Sequence, residues 1–436
     1  MLKKGDKKLI NAWAFYDWAN SVYSLVISTA VFPIYYSSLT ESFANVEGKI
    51  TFLGTQWNPT ALYDYTLAFS FLIVAFMSPI LSGIADYTGN KLKFIKAFCF
   101  LGSISVASLY FFEGEETLWV GIVGTIFASI GFWGSIVFYN AYLPEVAHPE
   151  DQDRVSAKGF ILGYTGSILV LLISLIAINK PELFGLSGAG IASRLTFVLV
   201  GIWWLGFAQI TYRRLPNNIY DRKPQKDFIW KGLHELNIVF KELKQYPELK
   251  FFLSSFFMFS VGVQTIILMA GIFGSKELGL PTLDLIAVIL LVQIVAIVGA
   301  FIFSRLSKKI GNINTLRITI FIWGLVCVIA FLLDKNQENV HYYFYGLGGL
   351  IGLVLGAIQS ISRSTYSKLL PKTKDHATYF SFYDVTEKIA IVFGMIIFGL
   401  LISLTGSMQF SVLFLAIFFL ISVVLLKFVG KTTYVQ

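Results

Sequence analysis

The sequence predicts an all-α membrane protein, with twelve transmembrane helices in two pseudo-symmetric six-helix bundles. Three observations lead there: recurrent long apolar runs, a one-sided distribution of positive charge, and motifs that repeat at the same place in each half. Of the 436 residues, 56% are hydrophobic and only 14% charged, far from the usage of soluble domains. Apolar runs near 11–38, 62–85, 94–112, 118–142, 159–179, 191–212, 251–274, 284–305, 315–333, 342–362, 379–404 and 408–429 are each long enough to cross roughly 30 Å of hydrocarbon as a helix. The basic opening of Lys3, Lys4, Lys7 and Lys8 precedes a run too long for a signal peptide and without a small-residue cleavage site, so span 1 is expected to stay in the mature chain.

Assigning the loops alternately to two sides places every Lys and Arg except Lys49, Lys180, Arg194, Lys276 and Lys335 on one side. The positive-inside rule then puts both termini in the cytoplasm. The same asymmetry accounts for the net charge of +8 without nucleic acid as a partner, because the excess flanks the spans. Cys99 and Cys327 fall inside spans 3 and 9, and no disulfide is indicated.

Taken in order, span 1 carries Asp17, Ser21, Ser24 and Ser28 at spacings of 4, 3 and 4, which puts them on one helical face with Asn20 beside it. Asp17 is read either as a membrane-depth functional carboxylate or as an acid in the headgroup zone favourable to a helix start. Spans 2 and 3 are joined by Ser82-Gly-Ile-Ala-Asp86-Tyr-Thr-Gly89-Asn90 and then Lys91 and Lys93; Ser304-Arg-Leu-Ser-Lys308-Lys-Ile-Gly311-Asn312 closes span 8 in the same position of the second half. Span 4 ends in Tyr139-Asn140-Ala-Tyr-Leu-Pro144, echoed by Tyr366-Ser-Lys-Leu-Leu-Pro371 after span 10. Such repeats mark transporters built from two related bundles. Spans 5 and 10 carry Gly159, Gly163 and Ser167, and Gly348, Gly352 and Gly356, at four-residue intervals suited to close helix packing.

Between spans 6 and 7 lies the longest polar stretch, with Ile229, Leu233, Leu236, Phe240 and Leu243 on one face of an expected interfacial helix. Domains are therefore placed at 1–214, 215–249 as a cytoplasmic linker with an amphipathic helix, and 250–436. Spans 6, 9 and 12 have interiors nearly free of charge and amide, so every third helix is expected to face lipid, with the others around a wet cavity. Candidate substrate or proton groups are Asp17, Asn20, Ser24, Tyr139, Asn140, Gln264, Gln293, Gln359, Tyr383, Asp384, Glu387 and Lys388. Tyr16, Tyr23 and Trp133 are expected beside them in a cavity that suits a zwitterionic or neutral solute. Asp384 and Lys388, four apart with the acid first, read first as a structural ion pair and second as part of the proton-exchanging group.

The turn after span 2 resembles the loop signature of the major facilitator superfamily. Asp86, Gly89 and Lys91 fit it, while Ser82, Tyr87 and Asn90 depart from it. That resemblance implies a conformational latch at Asp86, Gly89 and Lys91, with Arg363 assigned to the same group, and Lys308 at the second-half position implies a one-sided latch. The stretches AFYDWANSVYS, FYNAYLPEVAHPEDQDRVSAKGFILGYTGS, QSISRSTYSKLLPK and YFSFYDVTEKIAIVFG resemble the branch of that superfamily containing fungal vacuolar amino-acid effluxers linked to autophagy and bacterial permeases. The branch often carries Asp-Gly early in span 7, where this chain has Val261-Gly262 ahead of Gln264 and Thr265.

The resemblance implies small amino acids or similar metabolites as substrate, with export as one direction. Nothing in the sequence offers a metal or nucleotide site. The histidines, His148, His234, His341 and His376, all lie in loops, Leu425 stands where a P-loop before Gly430-Lys431-Thr432 needs glycine, and no GxSxG occurs. The expectation is a cofactor-free secondary transporter, not an enzyme, monomeric in a bacterial inner membrane and driven by the substrate gradient or by protons through Asp17, Asp384 or Glu387. Asp17→Asn is expected to abolish pH-dependent transport. A channel and a lipid-handling or receptor protein are the rival classes.

Overall fold

In the computed structural model, residues 3–217, 234, 237–242 and 245–430 are described. Twelve helices are long and apolar enough to span a membrane: α1 Lys7–Phe43, α2 Pro59–Thr88, α3 Lys91–Phe111, α4 Glu115–Val146, α5 Pro149–Asn179, α6 Ala189–Tyr212, α7 Pro247–Glu277, α8 Thr282–Ile310, α9 Asn312–Leu332, α10 Val340–Leu369, α11 His376–Thr405 and α12 Met408–Leu425. Local chemistry fixes their ends. Asp6 caps α1 by accepting from Lys8 N at 2.7 Å, and Asn58 with Pro59 starts α2. Gly89 ends α2 in the left-handed region at φ 69°, ψ 24°, a conformation that glycine adopts without steric cost.

Two departures from the sequence expectation lie in the first half. A small hairpin, β1 Ile50–Phe52 paired antiparallel with β2 Thr55–Trp57, links α1 to α2; its turn residues Leu53 and Gly54 both have positive φ, as tight hairpin turns require. Within α1, residues Tyr23–Val31 wind as a π-helix, and Thr29 Oγ1 donates to Ser24 O at 2.8 Å.

Packing separates α1–α6 from α7–α12. In the first group α1 lies against α5 and α6, and α4 against α2 and α3; in the second α10 lies against α8, and α12 against α7 and α9. The groups meet through α2 with α11, α4 with α11, and α5 with α8 and α10. Gly352 and Gly356 let α10 approach α8 closely: a Cβ at Gly352 would lie 2.5 Å from Val292 O, and one at Gly356 would overlap Ala296 O. Large side chains such as Phe100 of α3, Ile202 of α6, Phe321 of α9 and Leu420 of α12 are exposed, so the outer helices present apolar faces that suit lipid.

Of the expected linker helix, Ile229, Leu233, Leu236 and Leu243 lie outside the described residues. Phe240 is described; residues 237–242 are helical, Val239 is buried, and the Phe240 ring lies 6.2 Å from that of Phe382 on α11.

Candidate functional site: a cavity between two bundles, closed at one end

A cavity of about 1670 Å³ runs between the two groups of helices. It reaches the end opposite the termini, where exposed Ser42, Thr60, Asn179 and Thr282 line it. Its walls come from α1, α2, α4, α5, α7, α8, α10 and α11; α3, α9 and α12 contribute nothing, and α6 only its first turns, at Ala189 to Arg194. Of the three helices expected to face lipid, α9 and α12 stay off the cavity and α6 reaches it only at one end; α3 is off it as well.

Asp17, Asn20, Ser24, Tyr139, Asn140, Gln264, Gln293, Gln359, Tyr383 and Glu387 line this cavity together with Arg363. Ser21 and Ser28 join them, so the hydroxyl face of α1 points inward. Asp384 and Lys388 do not line it, and neither do Tyr16 and Tyr23. The reason is rotation about α11: Lys388 and Asp384 form an ion pair at 2.6 Å on a buried side of the helix, and the Lys388 ammonium sits 3.6 Å over the ring of Trp133. Trp133 therefore stands between this pair and the solute space. Glu387 lies on the cavity side, where Gln264 Nε2 donates to it at 2.8 Å and Lys388 approaches at 3.4 Å.

The floor of the cavity is built around Arg363. Its Nη1 and Nη2 each reach Asp17 Oδ2 at 3.4 Å, Nη1 donates to Asn140 Oδ1 at 3.1 Å, Nε to Ser156 Oγ at 2.9 Å, and Nη2 to Ser156 O at 2.8 Å. Tyr139 donates to Asp17 Oδ2 at 2.8 Å, and the guanidinium stacks on Phe160 at 4.2 Å. Two charges this deep are tolerable because they are paired and their donors are satisfied. The pair joins α1 and α5 to α10 across the two bundles, and Ser156 Oγ adds a bond to Ser360 O at 2.8 Å. Gly159 makes room for it: a Cβ there would collide with Asp17 Oδ2 and lie 3.0 Å from Arg363 Nη2.

Beyond that floor, two further seams join the bundles. At the first, Asp86 accepts from the N–H groups of Ala377 at 3.1 Å and Thr378 at 2.7 Å, which are otherwise orphaned in the first turn of α11. Lys91 approaches Asp86 at 3.6 Å and is also paired with Glu145, and Glu145 meets His376 Nδ1 at 3.0 Å. At the second, Asp153 in the first turn of α5 takes Asn312 Nδ2 at 2.7 Å, Ser307 Oγ at 2.9 Å and Lys368 Nζ at 2.7 Å. Lys308 is exposed, so in the second seam the carboxylate is Asp153 and not the position that matches Asp86, and polar contacts join the bundles at both seams. Asp153, Glu145, Ser156 and Tyr164, which donates to Gln359 Oε1 at 2.5 Å, were not singled out by sequence reasoning. All four lie inside the stretch 138–167 that carried the family resemblance, and Asp153 is an acid in a helix first turn, which is the signal that marks it.

A cavity walled by two six-helix groups, open at one end and sealed at the other by paired charges, defines a transporter of the major facilitator type. A family model described as "Vacuole effluxer Atg22 like" matches residues 5–432, and the chain belongs to that family. It is 35% identical to the "Uncharacterized MFS-type transporter YxiO" of Bacillus subtilis (strain 168), over 99% of this chain and 97% of that one. It is 24% identical to Autophagy-related protein 22-1 of Penicillium rubens, over 84% of this chain and 75% of the relative. Among solved structures, the major facilitator transporter FucP in its outward conformation superposes with a TM-score of 0.69 at 14% identity, over 98% of each chain. A bacterial homologue of ferroportin in an outward-facing state gives 0.63 at 13%, over 96% of this chain and 98% of that one. At those identities the likeness is one of fold. The protein is an integral membrane permease.

Proposed function

We propose that the protein is a secondary transporter, not an enzyme, that moves small α-amino acids or closely similar polar metabolites across a bacterial plasma membrane by alternating access, with its termini in the cytoplasm. The bundles 1–214 and 250–436 would rock about the linker 215–249, and the chain would act as a monomer. One observation carries the reading: the cavity is sealed at the termini end by polar inter-bundle contacts and open at the other. A continuous pore would favour a channel; the stacked seal at Arg363, Asp86 and Asp153 supports a carrier. The family's description as effluxers supports solute export, and the even mix of amides, hydroxyls and paired charges on the floor suits a zwitterion.

For coupling, charge balance favours Glu387 over Asp17. Asp17 is matched by Arg363 across the gate, whereas Lys388 serves both Asp384 and Glu387, which leaves that group one negative charge in excess. An unbalanced carboxylate facing a cavity that must close costs free energy until it takes a proton. Glu387→Gln is therefore expected to retain counterflow while losing acceleration by a proton gradient. Counterflow of labelled amino acids in proteoliposomes at two pH values tests both parts. No trans-stimulation by any amino acid would sink the carrier reading, and an unchanged pH response in Glu387→Gln would sink the coupling site.

A further inference from the structure

We propose that the inter-bundle pair Asp17–Arg363 is itself the docking point for the charged end of the substrate, and that a zwitterion unlocks the gate by exchanging into that pair. This rests on the reading of the substrate as amino-acid-like. Both residues line the cavity, so a solute entering from the open end reaches them. Their contact is loose, with both nitrogen–oxygen distances at 3.4 Å, against 2.6 Å for Lys388–Asp384 and 2.7 Å for Lys368–Asp153. All the bonds Asp17 accepts through its side chain fall on Oδ2; among the described residues Oδ1 accepts none.

Unpartnered polar atoms mark the same place. Asn20 Nδ2 and Ser362 Oγ, beside the pair, are buried, line the cavity and have no hydrogen-bond partner among the described residues, as is also true of Ser167 Oγ elsewhere in its wall. Buried polar groups in native proteins are nearly always satisfied, so these two are groups that a ligand would complete. Asn20 is three residues past Asp17 on α1, about 4.5 Å along the helix, and Ser362 adjoins Arg363 on α10.

The exchange is then specific. The substrate carboxylate takes the two Arg363 N–H groups now shared with Asp17 and accepts from Asn20 Nδ2, while its ammonium donates to the Asp17 carboxylate. One ion pair becomes two, each between a bundle and the solute, with no change in net charge. Arg363 loses its direct bond to α1, and the floor is then held across the bundles only by the neutral bonds of Arg363 to Asn140 and Ser156 and of Ser156 to Ser360. A solute with only one of the two charges leaves either Asp17 or Arg363 without a partner, and the gate stays shut.

The test uses the full chain. L-Alanine, L-alaninamide and propionate are compared by thermal shift on the purified protein. In parallel, the distance between nitroxides at Arg154→Cys and Lys372→Cys, exposed positions on opposite bundles at the closed end, is measured by pulsed electron paramagnetic resonance; the native Cys99 and Cys327 are buried. L-Alanine is expected to bind and lengthen that distance. Each single-charge analogue should bind at least about tenfold more weakly, as loss of one charge-assisted hydrogen bond implies, and leave the distance unchanged. Asn20→Ala, which removes a donor without touching the pair, should weaken alanine binding several-fold. Equal binding of alanine and its amide, or an unmoved distance at saturating alanine, overturns the exchange while the amino-acid reading stands. Failure of alanine and of other α-amino acids to bind, where another polar solute does, overturns both.

Discussion

At the seam between α2 and α11, the carboxylate comes from the α2–α3 turn as Asp86, and its acceptor role is spent on the first turn of α11. At the seam between α5 and α8, the α8–α9 turn instead offers donors, Ser307 and Asn312, and the carboxylate comes from the first turn of α5 as Asp153. Helices α5 and α11 hold the same place in their halves, as do the two turns. In both seams an acid ends at the N-terminal turn of a fifth helix, where the helix dipole favours negative charge. What pseudo-symmetry preserves is the electrostatic destination, not the residue that supplies it.

This comparison can be broken most sharply at Asp153. Removing one partner of a buried ion pair costs about 3–5 kcal/mol, and Asp153→Ala also removes the acceptor of Ser307 and Asn312. The expected outcome is a population shifted away from the termini-closed state, read as a longer Arg154–Lys372 nitroxide distance in the absence of solute. Asp86→Ala should cost less, about 1.5–3 kcal/mol for lost hydrogen bonds to a charged acceptor, because Lys91 keeps Glu145. If Asp86→Ala opens the closed end more than Asp153→Ala does, the larger share of closure lies in the first seam and not at Asp153.

The comparison also shows what was legible in the sequence. Helix number and the dry positions of α9 and α12 follow from hydropathy and from where amides sit, and both are one-dimensional properties. The hydroxyl face of α1 was readable because a helix converts spacing into direction. The partner of Asp17 was not: Arg363 and Lys388 are both basic residues within second-half spans, and only the packing of α10 against α5 brings Arg363 to it while α11 turns Lys388 against Trp133. Lys308 looked decisive because it aligns with Asp86, yet alignment says nothing about an acid that has moved to the opposite helix. The π-helix at Tyr23–Val31 contains no proline or glycine, and its one mark in the sequence is Pro33 just beyond it, which has no N–H to donate to the carbonyls of the preceding turn.

Between the two seams, Gly159 offers a test that removes no charge. A methyl group there overlaps Asp17 Oδ2 and crowds Tyr139 and Arg363, and overpacking of this kind costs about 1–3 kcal/mol. Gly159→Ala should therefore loosen the floor without altering either seam, giving an intermediate lengthening of the same nitroxide distance. Paired with Asp153→Ala, its effect should be close to additive if floor and seam are independent contacts; strong non-additivity would mean that they open as one unit.

The smallest effect is expected at Lys308, and it discriminates best between position and destination. If the seam depended on the residue aligned with Asp86, replacing Lys308 would disturb closure, whereas an exposed side chain outside any buried network changes stability by no more than about 0.5 kcal/mol. Lys308→Ala should leave both the nitroxide distance and counterflow within error of the parent. A clear opening of the termini end in that variant would show that Lys308 contributes to the seam from the surface, at the position that matches Asp86.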